Sequence, residues 1–482
     1  MSEEQKEEKF KKLTRRELLA GTGGFVAGVA VGSGGISLLL PPKEVEVIKE
    51  VEVIKKVEVP VEVIKEVEVP VEVIKEVEVL KEVGAVKEVE ISKFVCPYGD
   101  GTFSTLGALR VHVDSVHQPT PTSIRESEGR PTYVNKVDRP TYEDFVVGTI
   151  EQFDQKNEMF CRSFWDEEYK KVFAASPARE VFDESTEIEG QALMAGAIYV
   201  DDKAGSDQPY YYGYNGHKMG FGGLYDWEEP VGEQKFPVSD PAEMSERIKK
   251  VAKFYGADLV GICELDQRWV YSKYFDSLSG ASGELDIPYK YAIVLVVEMD
   301  WEGIRTSPEY EQAAATALGY SNMSEVASSL AKYVRSLGYP AIPCGNDTAQ
   351  SIPLAIDAGL GELGRHGLLI TPEFGPRNRI CKVLTDLPLK PDKPIEFRIQ
   401  KFCESCILCA KSCPVGAIKF GERTTETTSV SNREGLLRWP VDVAKCHAFW
   451  KTNTMSLKSC ANCIAACPWS DMGIRGEVKY NI

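Results

Sequence analysis

Cys403-Glu404-Ser405-Cys406-Ile407-Leu408-Cys409-Ala410-Lys411-Ser412-Cys413-Pro414 decides how the last part of the chain folds. A Cys-x2-Cys-x2-Cys-x3-Cys-Pro run winds through short turns that aim three thiolates at one iron–sulfur cube and send the fourth to another. A second run follows: Cys446, thirteen intervening residues, then Cys460-x2-Cys463-x3-Cys467-Pro468. Crossed ligation assigns one [4Fe–4S] cluster to Cys403, Cys406, Cys409 and Cys467, and the other to Cys446, Cys460, Cys463 and Cys413. Zinc sites and disulfides use cysteines at related spacings, but eight in this order, with proline after each Cys-x3-Cys, favour two cubes forming a short wire for single electrons.

Working outward, the chain has 482 residues and a formal charge of −17. That length gives room for two or three domains, and the acidic balance argues against a protein that reads nucleic-acid phosphates. Thirteen cysteines, with eight crowded into the last sixth, do not form a disulfide framework. The boundaries fall at 1–42, 43–91, 92–120, 121–400 and 401–482.

At the N-terminus, Thr14-Arg15-Arg16-Glu17-Leu18-Leu19 precedes an uncharged Gly/Ala/Val/Leu-rich segment from Ala20 to Leu40, then Pro41-Pro42. The paired arginines resemble a twin-arginine (Tat) export signal; a retained membrane anchor is the alternative, since about 20 uncharged residues span a bilayer. Residues 43–91 repeat Val-Pro-Val-Glu-Val-Ile-Lys-Glu-Val-Glu around Pro60 and Pro70, with 14 Glu and 8 Lys. Valine at alternate positions and the prolines read as an extended stalk or a disordered linker. Cys96, His112 and His117 then resemble a two-Cys two-His zinc finger, but Gly99 stands where the second cysteine belongs. Zinc with Asp100 as fourth ligand and a metal-free mini-fold or linker are the two readings.

Roughly 280 residues remain for whatever the electrons reach. Ala242 to Gly256 and Tyr310 to Leu337 have helical periodicity, whereas Leu259–Ile262 and Ala292–Val297 read as buried strands, so the segment is α/β with a layered sheet. No Gly-x-Gly-x-x-Gly follows a strand and no Walker motif is present.

Several stretches in order resemble the corrinoid and iron–sulfur reductive dehalogenases of organohalide respiration. They are Gly222-Gly223-Leu224-Tyr225-Asp226-Trp227, Asp240-Pro241-Ala242-Glu243-Met244, Phe254 to Gly261, Arg268-Trp269-Val270-Tyr271, Arg335 to Tyr339, and Asp357-Ala358-Gly359-Leu360-Gly361-Glu362-Leu363-Gly364-Arg365-His366-Gly367. The resemblance implies an α/β (α+β) fold: a nitroreductase-like corrinoid-binding domain followed by a two-cluster ferredoxin-like domain. It implies a base-off, cobalamin-type corrinoid, in agreement with only 5 His and no Asp-x-His-x-x-Gly.

In that family two electrons and one proton replace halide, and the acid is a tyrosine beside a basic residue. The resemblance places the acid at Tyr274, with Tyr271 as the substitute, Arg335 as the basic partner and Asp300 as a polar neighbour. Gly361, Gly364, Arg365 and His366 are the candidate corrinoid contacts, against turns and caps as the ordinary use of such glycines. Trp450 and Tyr210 to Tyr214 are candidate walls of an apolar pocket. The implied activity is reductive removal of halide from an organohalide by a terminal reductase of anaerobic respiration. A reductase of a non-halogenated substrate, as the epoxyqueuosine reductases are, or a large electron-transfer ferredoxin are the alternatives. The implied setting is the outer face of the cytoplasmic membrane, with electrons from a membrane donor complex or anchor protein and no nucleic acid.

Overall fold

In the computed structural model the described residues are 94–95, 102–103, 132–174, 184–203, 224–276, 279–453, 459–471 and 477–481. The signal-like segment, the stalk, Cys96, His112, His117 and Tyr210 to Tyr214 lie outside them. Near the finger-like segment, β1 (Phe94–Val95) pairs antiparallel with β2 (Thr102–Phe103).

The centre is a four-stranded sheet in the order β4-β7-β11-β8, in which every neighbouring pair is antiparallel. β4 (Leu259–Glu264) and β7 (Tyr291–Glu298) are the two apolar runs read as buried strands. β8 is Ala341–Cys344 and β11 is Asn378–Thr385, the latter paired with β7 along its whole length. β7 is covered on both faces: Ile293, Leu295 and Val297 enter one core, while Ala292, Val294 and Val296 enter the other. A strand buried twice cannot alternate polar with apolar, hence its unbroken hydrophobic sequence.

One face is covered by α4 (Pro241–Phe254) and α6 (Tyr310–Ser336). Asp240 caps α4 by accepting from Ala242 N at 2.8 Å, and Met244, Ile248 and Ala252 form the buried stripe four residues apart. α6 carries Ala313, Ala314, Ala317 and Gly319 inward, which lets a 27-residue helix lie close to the sheet; α3 (Glu184–Lys203) packs beside it.

Trp269, Val270 and α7 (Ser351–Asp357) cover the other face. Lys382 of β11 points to this side, fully buried, and donates to Gly345 O at 2.6 Å and Ser351 Oγ at 3.1 Å. It thereby ties the turn after β8 to the sheet. The hairpin β5 (Lys273–Phe275) and β6 (Ser282–Glu284) sits outside this sheet, as do α1 (Met159–Trp165) and α2 (Glu167–Ala174).

The cysteine-rich part folds as short helices: α8 (Ile399–Ser405), α9 (Leu408–Lys411), α10 (Val443–Thr452) and α11 (Asn462–Ala465). It shares a core with what precedes it, since Cys403, Cys467 and Trp439 pack with Val134, Ile370, Ile395 and Phe397. A three-stranded sheet closes the arrangement. Its centre is β3 (Thr132–Lys136), flanked by β12 (Ile395–Glu396) and the parallel β13 (Val478–Asn481).

Candidate functional site

The eight cysteines separate into two quartets. Cys467 lies in the field of Cys403, Cys409 and Cys406, whereas Cys446 lies in that of Cys460 and Cys413, and Cys463 adds Cys460, Cys446 and Cys413. Cys409 also acts on Cys463, so the quartets adjoin there. Burial and mutual charge raise the thiols of Cys409, Cys446 and Cys463, a donor set whose thiolates need cations between them. Among the described residues no three His, Cys, Asp or Glu converge on a single ion. A cube makes no such demand, because each of its four thiolates binds a different iron.

The second quartet reaches the sheet. Asn462 and Ser459 flank it and bond to the start of α6 and the turn before it: Ser307 Oγ donates to Asn462 Oδ1 at 2.7 Å, and Gln312 Nε2 to Ser459 Oγ at 2.8 Å. Ala461 and Ile464 pack with Met299 and Ile304. Met299 is also the sulfur acceptor of Thr316 Oγ1 and lies against Gly319, so the contact continues along α6 to Tyr320.

Tyr274, Arg335 and Asp300 are each committed elsewhere. Arg335 is 3% exposed and sends Nε to Ala341 O at 2.8 Å and Nη2 to Asp226 O at 2.7 Å, with Glu229 at 3.6 Å from Nη1. It pins the end of α6 to β8, and the phenol in its field is Tyr289. Tyr274 lays its ring on Gly283 across the β5–β6 hairpin. Asp300 caps α5 (Trp301–Ile304), accepting from Gly303 N at 2.7 Å. Tyr271 is deeply buried, and burial together with Glu158 and Cys161 holds its proton well above the ordinary range, opposed by Arg433. Arg335 thus directs its guanidinium to the carbonyls of 226 and 341 and to Glu229, while the Tyr274 ring packs on Gly283.

A tyrosine with a basic neighbour does exist, at residues the sequence did not single out. Tyr320 Oη accepts from Arg379 Nη1 at 3.2 Å and from Asn346 Nδ2 at 3.3 Å, and the Arg379 guanidinium lies 4.5 Å from the Tyr320 ring centre. With two donors on the oxygen, the hydroxyl hydrogen has no protein acceptor among the described residues. Gly319 makes room, since a Cβ there would stand 2.7 Å from Arg379 Cγ. Asn346 follows β8 in a turn fixed by Lys382 on Gly345 O and by Asp347 Oδ1, which accepts from Gly345 N at 2.8 Å. In the sequence Arg379 and Lys382 stand out as two charges among the apolar residues Ile380, Cys381, Val383 and Leu384 of this strand.

The Gly361 to Gly367 run joins β9 (Glu362–Leu363) to β10 (Leu369–Ile370) beside the first quartet. A Cβ on Gly361 would collide with Ile370 O, and one on Gly364 would stand 2.7 Å from His366 Cε1. Both glycines are thus required by this chain's own packing. Arg365 is likewise spent within the protein: Nε donates to Cys403 O and Cys406 O, both at 3.0 Å. His366 differs. Its Nδ1 accepts from Leu368 N at 3.2 Å, burial lowers it to about 4, and Nε2 is buried without a partner. The neutral ring therefore carries its proton on Nε2 as an unused donor. Arg379 Nε and Arg433 Nη2 are buried and unpartnered too. Such donors fit a cofactor rimmed with carbonyl acceptors, as the carboxamides of a corrin are. Trp450, on α10, packs with Phe160 and His447 at ring distances of 5.7 and 5.4 Å.

Fold and site together define a mixed α/β protein in which the second of two cysteine quartets adjoins the helix that carries Tyr320, whose hydroxyl is held by Arg379 and Asn346. No family model matches the chain. The tetrachloroethene reductive dehalogenase of Dehalobacter restrictus is 40% identical over 294 residues, 52% of this chain and 53% of that one. That of Sulfurospirillum multivorans is 36% identical over 312 residues, 58% and 61% of the two chains. A solved reductive dehalogenase, described as suggesting a mechanism for B12-dependent dehalogenation, superposes with a TM-score of 0.51 at 25% identity, over 70% of this chain and 45% of that one. Over these stretches the chain is similar to reductive dehalogenases. It spans somewhat over half the length of the curated relatives it matches.

Proposed function

We propose that the chain catalyses R–X + 2e⁻ + H⁺ → R–H + X⁻ on an organohalide, with Tyr320 supplying the proton. The observation that carries this reading is the Tyr320 hydroxyl held by Arg379 and Asn346 on the helix against which the second cysteine quartet packs. When bound, a corrinoid supplies the low-valent metal centre that breaks the carbon–halogen bond, and two [4Fe–4S] clusters on the quartets supply its electrons. His366 Nε2 and Arg379 Nε are the donors available to its rim. Tyr320 releases its proton toward the carbon; Arg379 and Asn346 stabilise the charge left on the phenol oxygen, doing there what a preorganised donor pair does for any developing oxyanion.

The finer assignment follows the same reading. Residues 121–400 form the nitroreductase-like corrinoid domain and 401–482 the ferredoxin-like domain. The N-terminal segment exports or anchors the enzyme at the outer face of the membrane, where a membrane complex donates electrons. Among the described residues no helix is long and apolar enough to cross a membrane. A non-halogenated substrate is less favoured, because the relatives matched over half the chain are dehalogenases of tetrachloroethene.

The test is halide release from a panel of chlorinated and brominated alkanes, alkenes and phenols with a reduced viologen as donor. Protein holding about eight irons, as two [4Fe–4S] clusters require, and one cobalt should turn over at least one of them. A fully loaded protein that releases no halide from any would overturn the proposal.

A further inference from the structure

The two cysteine quartets have the same ligands but opposite electrostatic surroundings. Arg365, 1% exposed, reaches the first quartet with its whole guanidinium. Besides Nε on Cys403 O and Cys406 O, Nη2 donates to Cys403 O at 2.8 Å and Glu404 O at 3.3 Å, and Nη1 to Lys419 O and Gly421 O at 3.1 and 3.0 Å. The six bonds end on five neutral carbonyls, so no carboxylate cancels this charge. Its guanidinium stacks 4.3 Å from the Trp439 ring, over which a second guanidinium, Arg423, lies at 3.9 Å. Arg423 is paired with Glu404 at 2.8 Å, leaving Arg365 the uncompensated cation. Lys411 adds to the positive field at Cys406.

The second quartet is described at Cys446 and Cys463. Their neighbours in charge are other cysteines and, for Cys446, Asp442, the cap of α10, which is paired with exposed Lys445 at 3.3 Å. Adding an electron makes a cluster one charge more negative. A buried, uncancelled cation stabilises the reduced form, whereas a field of thiolates and a carboxylate does not.

From this asymmetry we infer that Arg365 holds the Cys403/Cys406/Cys409/Cys467 cluster at the more positive reduction potential, leaving the Cys413/Cys446/Cys460/Cys463 cluster as the low-potential donor beside the helix of Tyr320. This rests on the reading that both quartets carry [4Fe–4S] clusters. The first electron from an outside donor then settles on the first cluster. The second cluster is reduced last and hands on the stronger reductant, at the place where the chemistry needs it. Arg365 is a positioning and tuning residue: it touches the cluster loop and not the substrate.

The experiment is a redox titration followed by electron paramagnetic resonance on iron-loaded full-length protein, comparing wild type with Arg365→Met, Arg365→Lys and Arg423→Gln. Wild type should show two separated midpoints, and Cys406→Ser identifies the first cluster's signal. Arg365→Met should lower the more positive midpoint by at least tenfold in the reduction equilibrium, 59 mV for one electron, and leave the other in place. Arg365→Lys, which keeps the charge and loses the fork, should shift it less. If Arg365→Met does not hold iron, Arg423→Gln must still lower the same midpoint by a smaller factor. Unmoved midpoints in iron-loaded variants, or movement of the lower midpoint alone, overturn the inference. A wild-type protein that binds no iron overturns the cluster reading itself.

Discussion

Arg379 Nη1 stands 3.2 Å from Tyr320 Oη while its guanidinium covers the ring of the same tyrosine at 4.5 Å. The contact joins the middle of a 27-residue helix to the start of a central strand, 59 positions apart in sequence. Removing the hydroxyl should leave that packing intact, because Tyr320→Phe keeps the ring under the guanidinium. We expect kcat for halide release to fall about 10²- to 10⁴-fold, the usual worth of a positioned general acid, with iron and cobalt content unchanged. Tyr274→Phe, at a ring lying on Gly283, should leave turnover unchanged. The reverse result would return the acid to the β5–β6 hairpin.

Gly319→Ala separates activity from stability. Alanine is about 1 kcal/mol better than glycine inside a helix, yet its Cβ would meet Arg379 Cγ at 2.7 Å. The methyl pushes the arginine off Tyr320. Thermal unfolding should therefore change little while kcat drops, and a variant that lost stability without losing kcat would contradict the arrangement.

These elements show what could be read from the chain and what could not. β4 and β7 were legible because a strand buried on both faces leaves an unbroken apolar run, and α4 because Asp240 caps a four-residue stripe. The grouping of the cysteines was legible because their spacing is local. Tyr320, Asn346 and Arg379 come from a helix, a turn and a strand, each with neighbours that look like packing, so only the crossover from β7 through α6 to β8 and back to β11 brings them together. Arg335 shows the complementary case: a buried arginine at a motif position has the chemistry of a catalytic partner, and its described bonds go to the carbonyls of 226 and 341. At Gly361 and Gly364, expected as corrinoid contacts, an added Cβ would meet Ile370 O and the His366 ring of this chain itself.

Glu362 offers a pH signature. Its Oε2 accepts from Phe397 N at 2.7 Å and Ile399 N at 3.1 Å, but burial dominates and raises the carboxyl to about 7. A raised folded-state value means that the native protein binds the proton more tightly than the unfolded chain, where the carboxyl keeps its ordinary value of 4.5. This contribution is complete below about 4.5 and is lost as pH rises through about 7. Glu362→Gln keeps an oxygen for both amides and cannot ionise. The melting temperature of the variant minus that of wild type should thus grow between pH 5 and about 8 and level off above. A difference that stays flat over that range would show that the carboxylate is charged at no cost.

Crossed ligation makes a prediction that sequence order alone opposes. Cys413 ends the first run and Cys467 ends the second, yet Cys467 lies with Cys403, Cys406 and Cys409, and Cys413 with Cys446, Cys460 and Cys463. Cys413→Ala should therefore abolish the spectroscopic signal of the cluster that Cys460→Ala abolishes, and Cys467→Ala that of Cys406→Ala. Each single variant should lose about four irons of about eight if the damaged cluster is not held by the remaining three thiolates. The two variants should also differ in what survives. Losing the Cys413 cluster removes the one packed against α6 and should stop viologen-driven halide release. Losing the Cys467 cluster leaves that one in place, and a small, strongly reducing viologen reaching it directly should retain part of the turnover. Pairing of Cys413→Ala with the Cys406→Ala phenotype would place the ligands in sequence order instead and undo the assignment of the second quartet as the one beside Tyr320.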